Sequence, residues 1–463
     1  MKNKKIREGA RDVNNVFKKL KSRDFSGTTG EVVKNSTYQL ITNLIFKIGS
    51  VLFTIIIVRM LGAEISGLYL LALSTIVLFF PFSDLGIGAT MSRFVSMSLG
   101  RNNPNKAKAY FNELLKYKIY LTSACSLILV LCAYFIANNF YHKPIFYALL
   151  AGAIYIPAHS LAAFIITAFQ SNNDFRPPLI KEVIFQVLRL IFIPASIFIL
   201  FKMTLSESSI IGIIIATTGV CHLIGLLYLK TTAKKRIPFI KEDARSLTKK
   251  DKQDLKKFML PMSLTVLSGM FYGNIDTLML GHYIADASYI SYYGIPLGLI
   301  GSLGAVIHFV PAVMLPTFSR IKKGSLNRIF SKVRNFTLLI GIMASVFVFF
   351  TAKYILILYG SDFAQATIFL QIFSLMLILS PMASLYEAYF ISIKKTKIIA
   401  VLLIISTIVN IILNIIFIRY GLQFGMMQAA IGACIATIIS KIVYLYGLII
   451  FKKRYTIQGK CLP

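Results

Sequence analysis

Charge is scarce in this chain, and acid is scarcer than base. Of 463 residues 15% are charged, 18 acidic against 50 basic. With 56% apolar residues and a mean hydropathy of +0.72, a water-soluble domain is excluded. A net charge of +32 in a soluble protein would point to nucleic acid. Here the basic residues sit in loops between apolar segments, so their partner is the membrane surface and its lipids, with no nucleic acid. Cysteine is sparse: Cys125, Cys132, Cys221, Cys434 and Cys461 are scattered, four of them in apolar segments and none in a CxxC pair. Neither a disulfide framework nor a metal site is indicated. Tryptophan is absent, so the 23 tyrosines must supply most of any aromatic belt. No GxxxxGK[ST] run occurs, which argues against direct drive by ATP.

What the chain has instead is long apolar runs. Twelve segments of about 20 residues or more, enough for a core of roughly 30 Å, cover 39–60, 67–91, 114–137, 145–169, 179–201, 207–229, 258–280, 289–315, 335–358, 366–391, 397–419 and 428–451; they are called spans 1 to 12 below. Between spans 6 and 7 lies a basic connector, 230–257, in which no apolar run could cross a bilayer. With both termini placed in the cytosol, 42 of the 50 basic residues fall on the inner side and five on the outer. Lys47, Arg189 and Lys441 remain within spans. That asymmetry predicts a multi-pass protein of the cytoplasmic (inner) membrane with N and C inside.

The expected organisation is a basic arm (1–36), a first six-helix bundle (37–229), the linker (230–257), a second bundle (258–452) and a cytoplasmic tail (453–463). In the arm, Ile6, Val13, Phe17 and Leu20 recur at roughly helical spacing, so part of it either lies on the membrane surface or is a disordered basic tail. The arm is too long and mixed for a cleavable signal, so span 1 reads as an uncleaved anchor. The outer connections are short and leave no room for an extracytoplasmic domain.

The two halves read as copies. Ala63-Glu64 is echoed by Ala285-Asp286, Ser92-Arg93 by Ser319-Arg320, Pro157-x-x-Ser160-Leu161 by Pro381-x-x-Ser384-Leu385, and Ile211-Gly212-x-x-Ile215-Ala216-Thr217 by Ile431-Gly432-x-x-Ile435-Ala436-Thr437. An even number of spans per copy gives the halves one orientation, hence a pseudo-twofold axis along the membrane normal with a substrate path between two rocking bundles. The fold class is therefore all-α and polytopic, about twelve transmembrane helices in two pseudo-symmetric six-helix bundles. Spans 2 and 8 are both interrupted, by Pro81, Gly86 and Gly88 and by Gly294, Pro296, Gly298, Gly301, Gly304, Pro311 and Pro316. Either these helices bend as gates, with Gly86, Pro81, Gly298 and Pro311 as the candidates, or the small residues serve packing.

Leu61–Ser96, with its Leu61-Gly62…Gly67-x-Tyr69 turn and Phe82-Ser83-Asp84-Leu85-Gly86, resembles the first hairpin of polysaccharide-exporting flippases (the O-antigen flippase type) of the multidrug/oligosaccharidyl-lipid/polysaccharide exporter superfamily. Leu260-Pro261 and Asp276-x-Leu278-Met279-Leu280-Gly281 resemble the start of that family's second half. The resemblance implies movement of a lipid-linked oligosaccharide on a polyprenyl phosphate or pyrophosphate from the cytosolic to the outer leaflet by alternating access. It also implies glycan polymerases or glycosyltransferases as protein partners. A small-cation or multidrug antiporter of the same superfamily would share the fold, but calls for an acidic pocket. An integral-membrane glycosyltransferase needs carboxylates on a sizeable outer loop, and Glu64, Glu207, Asp286 and Asp362 are isolated in short turns. The chain reads as a non-enzyme without a cofactor.

Charges inside spans cost roughly 2.5–3.5 kcal/mol each near the bilayer centre, so they face an interior cavity. Lys47, Arg189 and Lys441 suit the phosphate of such a substrate, Arg by its bidentate fork and Lys as a point charge. The competing account of Arg189 is pairing with Glu182, two turns earlier on the same face. Asp276, beside Asn274 and Thr277, is the candidate for coupling to Na⁺ or a proton. Asn410 and Asn414 form one polar stripe on span 11, as interhelical glue or cavity lining; Asn410 is counted with the substrate contacts. Asp84 is expected to cap or to pair with Arg93. His159, His222 and His308 are expected to be packing residues.

Overall fold

The computed structural model describes residues 27–201, 205–244, 246–308, 311, 318, 323–393 and 395–457. The amphipathic positions of the arm, Pro316, Ser319, Arg320 and Cys461 lie outside the described residues. Among the described residues there is no strand.

Ten helical stretches are long and apolar enough to cross a membrane. One of them, Lys34–Gly100, holds both span 1 and span 2. The two run together because Gly62 turns the chain at φ 75° and ψ 179° inside Gly27–Val77, a backbone state open to glycine alone at little cost. Span 7 lies in the helix Lys249–Tyr283. With these two, the helices account for the twelve spans expected.

The helices are turned out toward lipid. Leu131, Phe350 and Tyr354 are largely exposed on their outer faces, which in water would be an aggregation surface and in a bilayer is a solvated one. Inside, the apolar core is unevenly divided. At one end of the helices one continuous cluster joins the halves, with Leu71 and Ala72 of span 2 packed with Leu280, Ile284 and Ala287. At the other end the described residues form two separate cores. One is built on the first half around Met91, Tyr110 and Phe169. The other is built on the second half around Phe330, Tyr389 and Leu448. The apolar core is thus continuous at one end and divided at the other, where Leu255, Phe258 and Met259 of the span 7 helix pack with the first half.

Glycines permit the close approach of the halves along the continuous cluster. A Cβ on Gly67 would sit against the Ala287 backbone carbonyl, and one on Gly281 would meet Leu71 and Tyr141. Polar contacts follow the same seam. Arg59 Nε donates to the Leu358 carbonyl at 2.7 Å, and Lys143 Nζ donates to the carbonyls of Ile284 and Ala285 at 2.8 and 2.6 Å. Burial holds the Lys143 ammonium below the usual lysine range, opposed by Asp286 and Glu64.

The basic connector is shorter than its charge run. Span 6 continues as helix to Arg236, a short turn covers Pro238–Ile240, and the next helix begins at Lys249. Lysine and arginine favour helix, so charge marks the membrane edge and not the helix end. The start of the span 7 helix docks on the first half. Asp251 completes a capping box with Thr248 and accepts from Lys106 at 2.8 Å and Tyr110 at 3.0 Å. Burial raises the Asp251 carboxyl, but the bonds from Lys106, Thr248 and Tyr110 outweigh it and bring it down to about 2.

Candidate functional site: cations within the spans and a buried carboxylate

Arg189 sits inside the first half, 9% exposed. Its guanidinium lies over the Phe53 ring at 4.1 Å, Nη2 donates to Gln186 Oε1 at 2.7 Å and reaches Ser50 Oγ at 3.5 Å, and Nε has no hydrogen-bond partner. Lys47 is one turn from Ser50 on span 1, so the two cations face the same stretch of the path. From the other half, Lys441 of span 12 and Lys47 both act electrostatically on His308 at the end of span 8. His308 also lines a cleft between spans 8 and 10 with Gly301, Gly304, Met376 and Ser380. Of the three basic residues singled out in the sequence, Arg189 and Lys47 thus flank Ser50 within the first half, and Lys441 stands in the second half on span 12.

Glu182 does not pair directly with Arg189. Its carboxylate lies 3.4 Å from Lys181 Nζ and accepts from Gln186 Nε2 at 2.7 Å, so Gln186 stands between acid and base. Asp84 pairs with Lys118 at 3.0 Å and not with Arg93, whose guanidinium lies over Phe258 at 4.4 Å. Lys118 is 2% exposed, and Lys181 is also buried. Both belong by position in the chain to the ends of cytosolic loops, so charge counting conceals that they point inward. His159 stacks on Phe80 at 4.3 Å, and His222 packs against Phe185 at 4.0 Å.

The second half holds a different kind of site. Asp276, 3% exposed, accepts from Tyr293 Oη and Thr437 Oγ1, both at 2.9 Å, and from Asn414 Nδ2. Asn410 also reaches it. Asn410 and Asn414 are one turn apart on span 11, which brings both amides to the same carboxylate. Their Oδ1 atoms are buried with no hydrogen-bond partner. Thr437 Oγ1 also lies 3.0 Å from the Ala433 carbonyl. Asn274, two residues before Asp276, points to another side of the helix, about 200° around its axis. The amides at the acid come instead from span 11. Tyr293 and Thr437 carried weaker signals: Thr437 lies in the repeated Ile-Ala-Thr motif, and Tyr293 precedes the first glycine of span 8.

The interrupted spans differ. Span 2 breaks at Leu85-Gly86, both left-handed (φ 40° and 78°), between helices Phe79–Asp84, which contains Pro81, and Ile87–Gly100. A Cβ on Gly86 would lie 2.7 Å from Met262 Cβ of span 7. Span 8 is one helix over Ser288–Ile307 despite Pro296; nothing lies within 4 Å of a Cβ on Gly298. Pro311 is helical and buried, with neighbours on both sides outside the described residues.

This architecture is shared with solved transporters. The chain is similar to a lipid II flippase MurJ in an inward closed conformation (TM-score 0.66, 20% identity, 89% of this chain and 87% of that one). It is also similar to an inward-facing multidrug resistance MATE family transporter of the MOP superfamily (TM-score 0.62, 16% identity, 91% and 96%). In sequence it is 25% identical over 229 residues to stage V sporulation protein B of Bacillus subtilis, a match spanning 48% of this chain and 43% of that protein. The chain thus aligns with less than half the length of this curated relative. The family model for polysaccharide biosynthesis proteins matches residues 32–322, from span 1 through the second half's first two spans. The chain belongs to the polysaccharide biosynthesis protein family, on a fold of polytopic membrane transporters and flippases.

Proposed function

We propose that this protein carries a lipid-linked glycan, on a polyprenyl phosphate or pyrophosphate, from the cytosolic to the outer leaflet by alternating access of its two halves. The observation that carries this reading is the buried Arg189, whose Nε–H has no hydrogen-bond partner, with Lys47 one turn from the Ser50 it reaches and Lys441 within a span of the other half. A phosphate crossing a low-dielectric interior needs fixed cations, and a basic path supplies them at the depth where water is absent. The divided cores, read as the cytosolic end, and the continuous seam, read as the outer end, fit a state that receives substrate from the inside, in an inner membrane with both termini cytosolic.

The coupling ion binds at Asp276 in this reading. A carboxylate, two amide oxygens, the Thr437 hydroxyl and the Ala433 carbonyl are hard oxygen ligands suited to Na⁺. A proton on Asp276 would neutralise the same charge. Turning either asparagine amide over would present an oxygen where an N–H now points.

The alternative, export of small cations, meets a specific obstacle. Each of the four acids within the membrane segments is already engaged: Asp84 by Lys118, Glu182 by Lys181 and Gln186, Asp276 by Tyr293, Thr437 and Asn414, and Glu387 by Tyr444 at 2.7 Å. The test is loss and rescue. Removing the gene should cause lipid-linked oligosaccharide to accumulate in the inner leaflet, and the wild-type chain should clear it. Unchanged glycan lipids, together with sensitivity to cationic dyes, would favour the antiporter.

A further inference from the structure

Glu182, Gln186 and Arg189 lie on one face of the span 5 helix at spacings of four and three residues. An acid and a base so placed, in a low-dielectric interior, attract each other strongly. The structure keeps them apart through a single amide. Gln186 donates to Glu182 at 2.7 Å and accepts from Arg189 at 2.7 Å, while Lys181 balances the acid from the far side. The groove that admits this amide is made by span 1. A Cβ at Gly49 would come within 2.5 Å of Gln186 Oε1, so a larger residue there would push the amide away.

We infer that Gln186 is a positioning residue: it holds Glu182 and Arg189 apart, so that the guanidinium keeps its net charge and its unpartnered Nε–H for an anionic group in the path. This inference rests on the anionic substrate proposed above. Four features carry it. Arg189 is buried yet has an unfilled donor; its charge is met by an amide instead of a carboxylate; the nearby acid is consumed by Lys181; and a glycine in the facing helix makes room for the amide. If Arg189 served only to pair with Glu182, a direct bidentate contact would satisfy both groups better than an amide relay.

The test exchanges the two side chains. Glu182→Gln combined with Gln186→Glu keeps net charge and nearly the same volume, but moves the carboxylate next to Arg189. The full chain, in nanodiscs, is titrated with undecaprenyl pyrophosphate alongside Arg189→Gln and Gly49→Ala, with melting temperature recorded for each. The exchange should weaken binding by about tenfold or more, the scale of one lost charge-assisted hydrogen bond, with melting temperature equal to or above wild type. Gly49→Ala displaces the amide without altering any charge and should weaken binding in the same direction. Wild-type affinity in the exchange variant, with Arg189→Gln impaired, overturns the inference alone. Wild-type affinity in Arg189→Gln overturns the anionic role of Arg189 itself. Weak binding with a lowered melting temperature in both the exchange and Gly49→Ala would assign Gln186 to packing and also overturn the inference.

Discussion

The Lys143 ammonium donates to the Ile284 carbonyl across the seam between the halves, at 2.8 Å. It thereby ties the loop between spans 3 and 4 to the end of the helix that carries Asp276. A cation at a helix C-terminus is favourably placed against the exposed carbonyls, and Arg59 makes the same kind of contact with Leu358. In the alternating access proposed above, both would break.

Lys143→Met should therefore favour outer opening. A hydrogen bond to a charged group is worth about 1.5–3 kcal/mol, enough to move the ratio of states by about tenfold or more. Ala287 is buried under Gly67 at this seam, so Ala287→Cys in a cysteine-free background reports the opening. An impermeant thiol reagent applied outside should label it faster once Lys143 is replaced. Equal labelling with and without Lys143 would remove it from the gate.

Asp276→Asn keeps shape and the acceptor toward Tyr293 and Thr437, so the protein should still reach the membrane. Transport should fall by about tenfold or more, the scale of a lost charged contact, and the remainder should no longer respond to an imposed Na⁺ or proton gradient. Retained gradient dependence in this variant would place coupling elsewhere.

The gate candidates separate on steric grounds. Gly86→Ala forces a side chain into a left-handed position, at roughly 1–2 kcal/mol, and against Met262; membrane level should drop. Gly298→Ala meets no neighbour and should be produced normally. It also stiffens the helix by about 1 kcal/mol, so export should slow if span 8 bends there. Normal export by Gly298→Ala would mean that span 8 moves as one rod.

Much of the architecture was legible because hydropathy and loop charge are one-dimensional signals. Apolar length found the spans, while helix runs on into the basic connector from both sides. Pairings were less legible. Asp84 has Arg93 nine residues away in the sequence, yet finds Lys118 on another helix, because only packing reveals which side chains point inward. The stripe of Asn410 and Asn414 was visible, but its meeting with Asp276 depends on how spans 7, 11 and 12 pack. Glu182 and Arg189 share a face as their spacing requires; the amide between them needed coordinates, although Gln186 was in plain sight one turn away.

Topology has its own test. Cysteine at Asn102 should be shielded from an impermeant reagent outside intact cells, and cysteine at the exposed Leu205 should react. Outside labelling at Asn102 would reverse the orientation assigned to the chain.

Fixed cations within the spans are proposed to hold the phosphate of a lipid-linked glycan. Export in a flippase-deficient host, normalised to membrane protein level, is the direct measurement, using Lys47→Arg, Lys47→Gln, Arg189→Lys and Arg189→Gln. The account predicts that Lys47→Arg retains more export than Lys47→Gln, because charge is what matters there. It predicts partial export for Arg189→Lys, which keeps the charge but loses the fork, and about tenfold or greater loss for Arg189→Gln. Wild-type export by both glutamine variants would contradict it.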